Sequence, residues 1–191
     1  YVDGNKDGVS NDADQGIIGC GQPTFNWGWN NTFNYKNFDF SFFVVGFHGF
    51  DIYNATHQMG YNLIKSQQMA GVTPMRELLN RWTPTNTNTD IPGFVKGGTE
   101  NKDFFSTRFV ENGSFIKMKS ITLGYTLPEA TCRSLGINNL RVYASVQNPF
   151  HITKYSGLDP EATMGSPLVQ GVDWGAYPNS RNYLIGLNFS F

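Results

Sequence analysis

The sharpest cluster of residues able to do chemistry lies near the start of the chain, in Asp3-x-Asn5-x-Asp7-Gly8-Val9-x-Asn11-x-x-Asp14. Side-chain oxygens recur at alternate positions, a glycine follows the third of them, and a carboxylate closes the stretch. That is the donor spacing of a calcium loop. Calcium is a hard cation that takes roughly six to eight oxygen ligands. Asp3, Asn5, Asp7, Asn11 and Asp14 would supply side chains, Val9 its backbone carbonyl, and Gly8 the sharp turn. Asp14 is one methylene shorter than the glutamate usual at the closing position, which weakens a bidentate grip. Gly16-Ile17-Ile18-Gly19 follows where an EF-hand would start its exiting helix. The expectation is a lone, structural calcium loop. An Asp/Asn/Gly-rich turn that needs no ion accounts for the same residues.

No other residues are arranged for catalysis. His48, His57 and His151 are scattered, without the paired spacing of a zinc helix. Glu77, Glu100, Glu111, Glu129 and Glu161 are not set in pairs by any regular element, and no serine stands in a nucleophile elbow. The expected class is not an enzyme.

The elements that position these residues are strands. Thr24 to Tyr35 alternates strictly, with Phe25, Trp27, Trp29, Asn31, Phe33 and Tyr35 on one face and Thr24, Asn26, Gly28, Asn30, Thr32 and Asn34 on the other. A period of two over such a run is a strand with one greasy and one polar face. After Lys36-Asn37 a second strand runs from Phe38 to Phe47, completing a hairpin. Three more follow: Phe115 to Leu127, Leu140 to Asn148, and Asn182 to Phe191. Their polar faces are rich in Asn, Ser, Thr and Gly and nearly free of charge. Between Thr73 and Trp82, the Thr-Pro start and the spacing of Met75, Leu78, Leu79 and Trp82 predict a short amphipathic helix.

The chain has 191 residues, 15% of them charged and 15% aromatic, with a formal net charge of −1. That balance carries no basic footprint for nucleic acid. No apolar run approaches the roughly 18 residues that a membrane-crossing helix needs. The chain opens on Tyr1, with no initiator Met, as expected of a segment of something longer.

Connections alternate in length: Lys36-Asn37 is short, Pro128 to Asn139 modest, and residues 48–114 and 149–181 long. Short turns at one end and long loops at the other are the layout of outer-membrane barrels. Alternating strands also build soluble sandwiches. Large aromatics at the strand ends (Trp27, Trp29, Tyr35, Tyr125 and Tyr183) and a chain that finishes on Phe191 favour the barrel. The expected organisation is a calcium-loop segment over 1–23 and barrel strands over 24–191, carrying long loops 48–114 and 149–181. The alternative is a secreted soluble β-sandwich stabilised by calcium that binds carbohydrate and buries Trp27, Trp29 and Phe33.

Several stretches resemble the C-terminal part of SusC/RagA-type TonB-dependent outer-membrane transporters. They are YVDGNKDGVSNDADQGIIG (1–19), NRWTPTNTNTDIP (80–92), RFVENGSFIKMKSITLGYTL (108–127), LRVYASVQN (140–148), TKYSGLDPE (153–161) and the closing residues 177–191. The resemblance implies an all-β, antiparallel membrane barrel, of which these would be the last five strands. It also implies a plug domain further toward the N-terminus, energy delivered through TonB, and a SusD-type surface lipoprotein as partner. The cargo would be oligosaccharide or peptide, and the location the outer membrane of a Gram-negative bacterium. The closing Gly186, Leu187, Phe189 and Phe191 resemble the signal read by barrel-assembly machinery.

With Phe191 at the periplasmic rim, both long loops become extracellular. Cys20 and Cys132 then fall near opposite rims, about ten residues of strand at roughly 3.3 Å each apart. A disulfide spans at most about 7 Å between Cα atoms, so no bond is expected between them. Lys117 and Lys119 fall on the face of Ile121 and Leu123, at the outer rim, where pairing with lipopolysaccharide phosphates is expected. Trp174, Tyr177 and Tyr155 in the last loop are candidate substrate contacts, as aromatic faces for sugar rings or a peptide. Trp82 and Phe94 occupy the other long loop. Anchoring of each loop's own small core is the competing role for all five.

Overall fold

The computed structural model describes residues 4–8, 12–61, 74–91, 93, 106–161 and 170–191. In chain order the elements are β1 (Phe25–Tyr35), β2 (Phe38–His48), β3 (Asp51–Asn54), α1 (Ala55–Tyr61), β4 (Val110–Asn112), β5 (Phe115–Thr126), α2 (Glu129–Ser134), β6 (Asn139–Gln147), β7 (His151–Thr153), β8 (Val172–Asp173) and β9 (Asn182–Ser190). Two compact units are present: residues 22–50, 112–162 and 177–191 form one, and residues 1–21, 51–111 and 163–176 the other.

The first unit holds one antiparallel sheet in the order β1-β2-β5-β6-β9, with β7 pairing the start of β5. The five long strands are the five read from the alternation of the sequence, each within a residue or two at its ends. Lys36 takes a left-handed φ of 53° in the two-residue hairpin turn. Asn37 then bonds the end of β5, its Nδ2 donating to the Thr126 carbonyl at 2.7 Å and its own carbonyl accepting from Thr126 N at 2.8 Å.

Pairing keeps the two faces intact across the sheet. Trp29 stands opposite Val44, Phe33 opposite Phe40, Leu123 between Phe40 and Ala144, and Ala144 opposite Ile185. The apolar face is left open: Trp29 is 54% exposed, Phe33 53% and Ile185 86%. A soluble sandwich must bury Trp29 and Phe33, so that alternative is not realised. Rings on this face pack against one another instead, Trp29 edge-on to Phe42 with centroids 5.1 Å apart and Phe38 tilted against Tyr125 at 4.7 Å. A side chain at Gly46 would collide with the Trp27 indole, so glycine there lets the ring lie flat across β2.

The second unit is built from the long connections. A small sheet runs β4-β3-β8, with β3 and β8 parallel. Asp51 ties the N-terminal stretch to it, accepting from Cys20 N at Oδ2 and donating its own N–H to the Cys20 carbonyl at 2.7 Å. Gly21 and Gly171 approach so closely that a Cβ on either would strike the other segment's backbone, and Gly171 has φ of 79°. Tyr53, Ala55 and Phe109 form the core, joined by Tyr61, Val110 and Val172. The alternation of the sequence did not reveal these strands, because two to four residues are too few to show a period.

Residues 76–80 are a single 3-10 turn in place of the amphipathic helix expected from Thr73. Met75 is extended and offers no side-chain cap. Arg81 then turns extended, with ψ of 158°, and Pro84 has no N–H to carry a ladder on, so the helix ends after one turn and the Asn86 amide bonds the carbonyls of Asn80 and Arg81. Thr73 and Phe94 lie outside the described residues. Cys20 and Cys132 form no disulfide, and Cys132 is the buried residue of α2.

On the expectation from the sequence that lipid covers the apolar face, Ile121→Lys, midway along β5, should cost the full-length protein about 2–4 kcal/mol of stability, against a small change for Asn188→Lys, exposed on the opposite face of β9. Urea unfolding in lipid vesicles measures both.

Candidate functional site

The chemistry of the first unit sits on its polar face. Where β2 pairs β5 the register shifts: Phe43 stands opposite Ser120, but Val44 stands opposite Met118, leaving Lys119 as the extra residue of a β-bulge. A bulge re-aims the side chains beyond it. Met118 and Ile116 therefore take the apolar face, and Lys117 turns to the polar one, opposite Val45.

This overturns the expectation that Lys117 and Lys119 share the face of Ile121 and meet lipopolysaccharide. Lys117 is 2% exposed. Its Nζ lies 2.8 Å from Asp159 Oδ2 and 2.8 Å from Glu161 Oε2. Lys119 pairs with the other oxygen of Glu161. Asn179 completes the cluster, donating from its backbone N to Asp159 at 3.1 Å and from Nδ2 to Glu161 at 3.0 Å. Two segments of the last loop are thus held on one strand by a buried charge network. Burial pushes the Asp159 carboxyl up, but the bonds from Lys117 and from the Glu161 and Asn179 backbone amides more than offset it, so its pKa lies below the ordinary value. Glu161 behaves likewise, with Lys117 and Lys119 overcoming its burial. The sequence holds a sign of this cluster: Lys117-x-Lys119 and Asp159-x-Glu161 have the same spacing and opposite charge.

Toward the other end of the same face, Arg141 bonds Asp39 with two nitrogens, at 2.9 and 2.6 Å. The pair crosses β5 over Gly124, where a side chain would collide with both. Tyr143 lies across Gly186 in the same way, with the Arg141 guanidinium 5.0 Å from its ring centre. Between the two charged clusters the Thr122 and Ser145 hydroxyls share a hydrogen bond of 2.8 Å.

Of the three aromatics singled out in the last loop, Tyr177 is 88% exposed and Trp174 51%. Tyr155 is 5% exposed and its ring packs over Gly157, which makes it an anchor of its own segment and leaves no face for a ligand. Trp82 is partly exposed in the other unit. There, Asn54 Nδ2 donates to Glu111 at 2.9 Å, and His57 lies 3.6 Å from the same oxygen. Burial pushes the Tyr61 phenol up beside them.

In the calcium-type loop, Asp3, Val9 and Asn11 lie outside the described residues. Asp14 Oδ1 accepts from Gly4 N at 2.9 Å and Asn5 N at 3.3 Å, which draws the closing carboxylate back to the start of the loop. Asn5 Oδ1 accepts from Asp7 N at 3.0 Å, and Gly8 has φ of 82°. The donors that are described are oxygens of the hard type that calcium takes. Gly186, Leu187 and Phe189 lie in β9, and the Phe191 ring follows, 5.9 Å from that of Phe189.

Comparison with known proteins places this geometry. No protein-family model matches the chain. TonB-dependent receptor P3 of Formosa agariphila is 37% identical over 196 residues, covering 100% of this chain and 18% of that receptor. TonB-dependent receptor SusC of Bacteroides thetaiotaomicron is 32% identical over 193 residues, covering 100% of this chain and 17% of SusC. The structure of the RagAB peptide importer in its closed-closed state matches 95% of this chain and 19% of that one, with a TM-score of 0.76 at 27% identity. The chain thus spans less than a fifth of the length of these relatives. An antiparallel sheet with one open apolar face and one polar face, matched in this way, is a portion of the wall of an all-β barrel. The chain belongs to the SusC/RagA-type TonB-dependent transporters, within their C-terminal barrel region.

Lys117→Met leaves Asp159 buried without its cation and is expected to cost about 3–5 kcal/mol. Because the folded pKa values of Asp159 and Glu161 are depressed, their stabilisation is complete above the unfolded values near 3.9 and 4.3 and fades as pH falls through the folded ones. Protection of the Glu161 and Asn179 amides against hydrogen exchange, referred to the intrinsic rate at each pH, should therefore fall in acid in the native protein and be lower at neutral pH in the variant.

Proposed function

We propose that this chain is part of an outer-membrane importer that takes up a nutrient oligomer with energy supplied through TonB. The observation that carries the reading is the open apolar face of the five-stranded sheet, because a surface of Trp29, Phe33, Leu123 and Ile185 side chains needs a lipid partner. Membership in the SusC/RagA family supports the same conclusion. In this reading residues 48–114 and 149–181 face the cell exterior, and the plug and TonB-contacting parts belong to the rest of the polypeptide. A SusD-type lipoprotein caps the barrel, the cargo is an oligosaccharide or a peptide, and Trp174 and Tyr177 offer exposed rings to it. Gly186, Leu187, Phe189 and Phe191 serve as the signal for barrel assembly.

Fractionation of the native cells tests the reading. The polypeptide carrying this sequence is expected in the outer membrane, several times heavier than 21.4 kDa and soluble only in detergent. A stable, detergent-free particle at that mass would sink it.

We also propose that the loop from Asp3 to Asp14 holds a calcium ion that stiffens it, with a Kd of about 10⁻⁴–10⁻³ M as in extracellular modules. Asn5, Asp7 and Asp14 are among its donors, and the return of Asp14 to Gly4 supports the closed ring that such a site needs. Calorimetric titration of the full-length protein should detect one site that is lost in Asp7→Ala. The same heat in wild type and variant would exclude it.

A further inference from the structure

We infer that the outer border of the apolar face is a docking site for phosphate-bearing lipid headgroups of the outer leaflet. The inference rests on the import reading, in which lipid covers this face and residues 149–181 are external. Charge pairing within the first unit points to it. The acidic residues of that unit are Asp39, Glu129, Asp159 and Glu161. Each already holds a cation: Asp39 holds Arg141, Glu129 holds Arg133, and the other two hold Lys117 and Lys119. Three basic residues of the unit have no carboxylate partner among the described residues: Lys36, Lys154 and Arg181. Lys36 lies in the β1–β2 hairpin turn, at the far end of the sheet. Lys154 and Arg181 lie at the outer end, and both are exposed.

The strands assign these two cations to the lipid side. Lys154 follows Thr153, the last residue of β7, and Arg181 precedes Asn182, the first of β9. Side chains alternate along a strand, so Lys154 continues the face of Ile152 and Arg181 that of Tyr183. Ile152 stands opposite Ile116 and Tyr183 opposite Val146, which places both on the apolar face. Ile152 is 65% exposed and Tyr183 75%. The same border carries His48 at the end of β2, its ring stacked on Phe25 with centroids 5.0 Å apart. Apolar rows thus give way to basic or N–H-bearing side chains, and every carboxylate of the unit is engaged elsewhere. That gradient is complementary to an anionic lipid, with acyl chains against Ile152 and Tyr183 and phosphate against Lys154 and Arg181. A soluble anion would meet the same two charges but gain nothing from the apolar rows, which favours lipid over free phosphate. Lys117 and Lys119, held by the loop carboxylates, take no part.

The test uses the full-length transporter, purified with its lipoprotein partner in a non-ionic detergent. Diphosphorylated lipid A and the same lipid stripped of both phosphates are added at equal concentration, and bound lipid is counted by native mass spectrometry. The phosphorylated form is expected to be retained in preference. Lys154→Gln and Arg181→Gln should each lower its retention about fivefold, the factor for one basic side chain at an anionic membrane surface, and the double variant about 25-fold. Retention of the stripped lipid should stay the same in all three, which reports an intact barrel. Lys36→Gln, at the far end of the sheet, should leave both lipids unaffected. Equal retention of the two lipids overturns the inference, as does an unchanged level in the double variant or an equal loss in Lys36→Gln. Displacement of the lipid by an equal concentration of inorganic phosphate also overturns it, because the cations would then serve a soluble anion. All of these outcomes leave import intact. Failure to find the polypeptide in the outer membrane overturns the import reading instead.

Discussion

Strand β5 carries an ammonium group that neither lipid nor an uncharged wall can hold, and much of the first unit is arranged around it. β5 pairs with β2, β6 and β7, so any error in its register is transmitted to three neighbours. A strict period of two would leave Lys117 on the same face as Ile121. The bulge at Lys119 breaks the period once and delivers Lys117 to the polar side. There Asp159, Glu161 and Asn179 converge on it. A buried charge without its partner is far more costly than the pair is stabilising. The cluster therefore works chiefly as a constraint on geometry: the loop segments carrying Asp159 and Asn179 must return to β5.

The two faces divide the remaining work. On the apolar side aromatic rings pack against one another and over Gly46, with no charged residue among the paired positions that share the face of Trp29 and Leu123. On the polar side the charged residues of the described strands are paired, and the rest is amide and hydroxyl. Both edge strands, β1 and β9, are long and apolar on one side, and such edges invite further pairing. A sheet of this kind is stable where more strands extend it and lipid covers it, which agrees with a chain that spans less than a fifth of its relatives.

Long alternating runs make the main sheet legible in the sequence. The face of Trp27, Trp29, Phe33 and Tyr35 can be read residue by residue, and so can the two-residue turn at Lys36-Asn37. Shorter features cannot. β3, β7 and β8 have four, three and two residues, which is less than a pattern needs. The helix expected after Pro74 has the right spacing, yet Arg81 turns extended after one turn. Tyr155 is the right residue type for a ligand contact, but packing over Gly157 buries it.

Residue order alone therefore specifies which long segments are strand, which side of each is greasy, and the family to which the chain belongs. These follow from local periodicity and from the order of short motifs, both properties of the chain itself. Long-range pairing was needed to establish where Lys117 points, that Asp39 reaches Arg141 across Gly124, and that the loop carboxylates return to β5. A bulge adds one residue without changing composition, and an ion pair between residues 39 and 141 leaves no trace in either neighbourhood. Pairing of distant strands is what brings such charges together, and no local pattern encodes it.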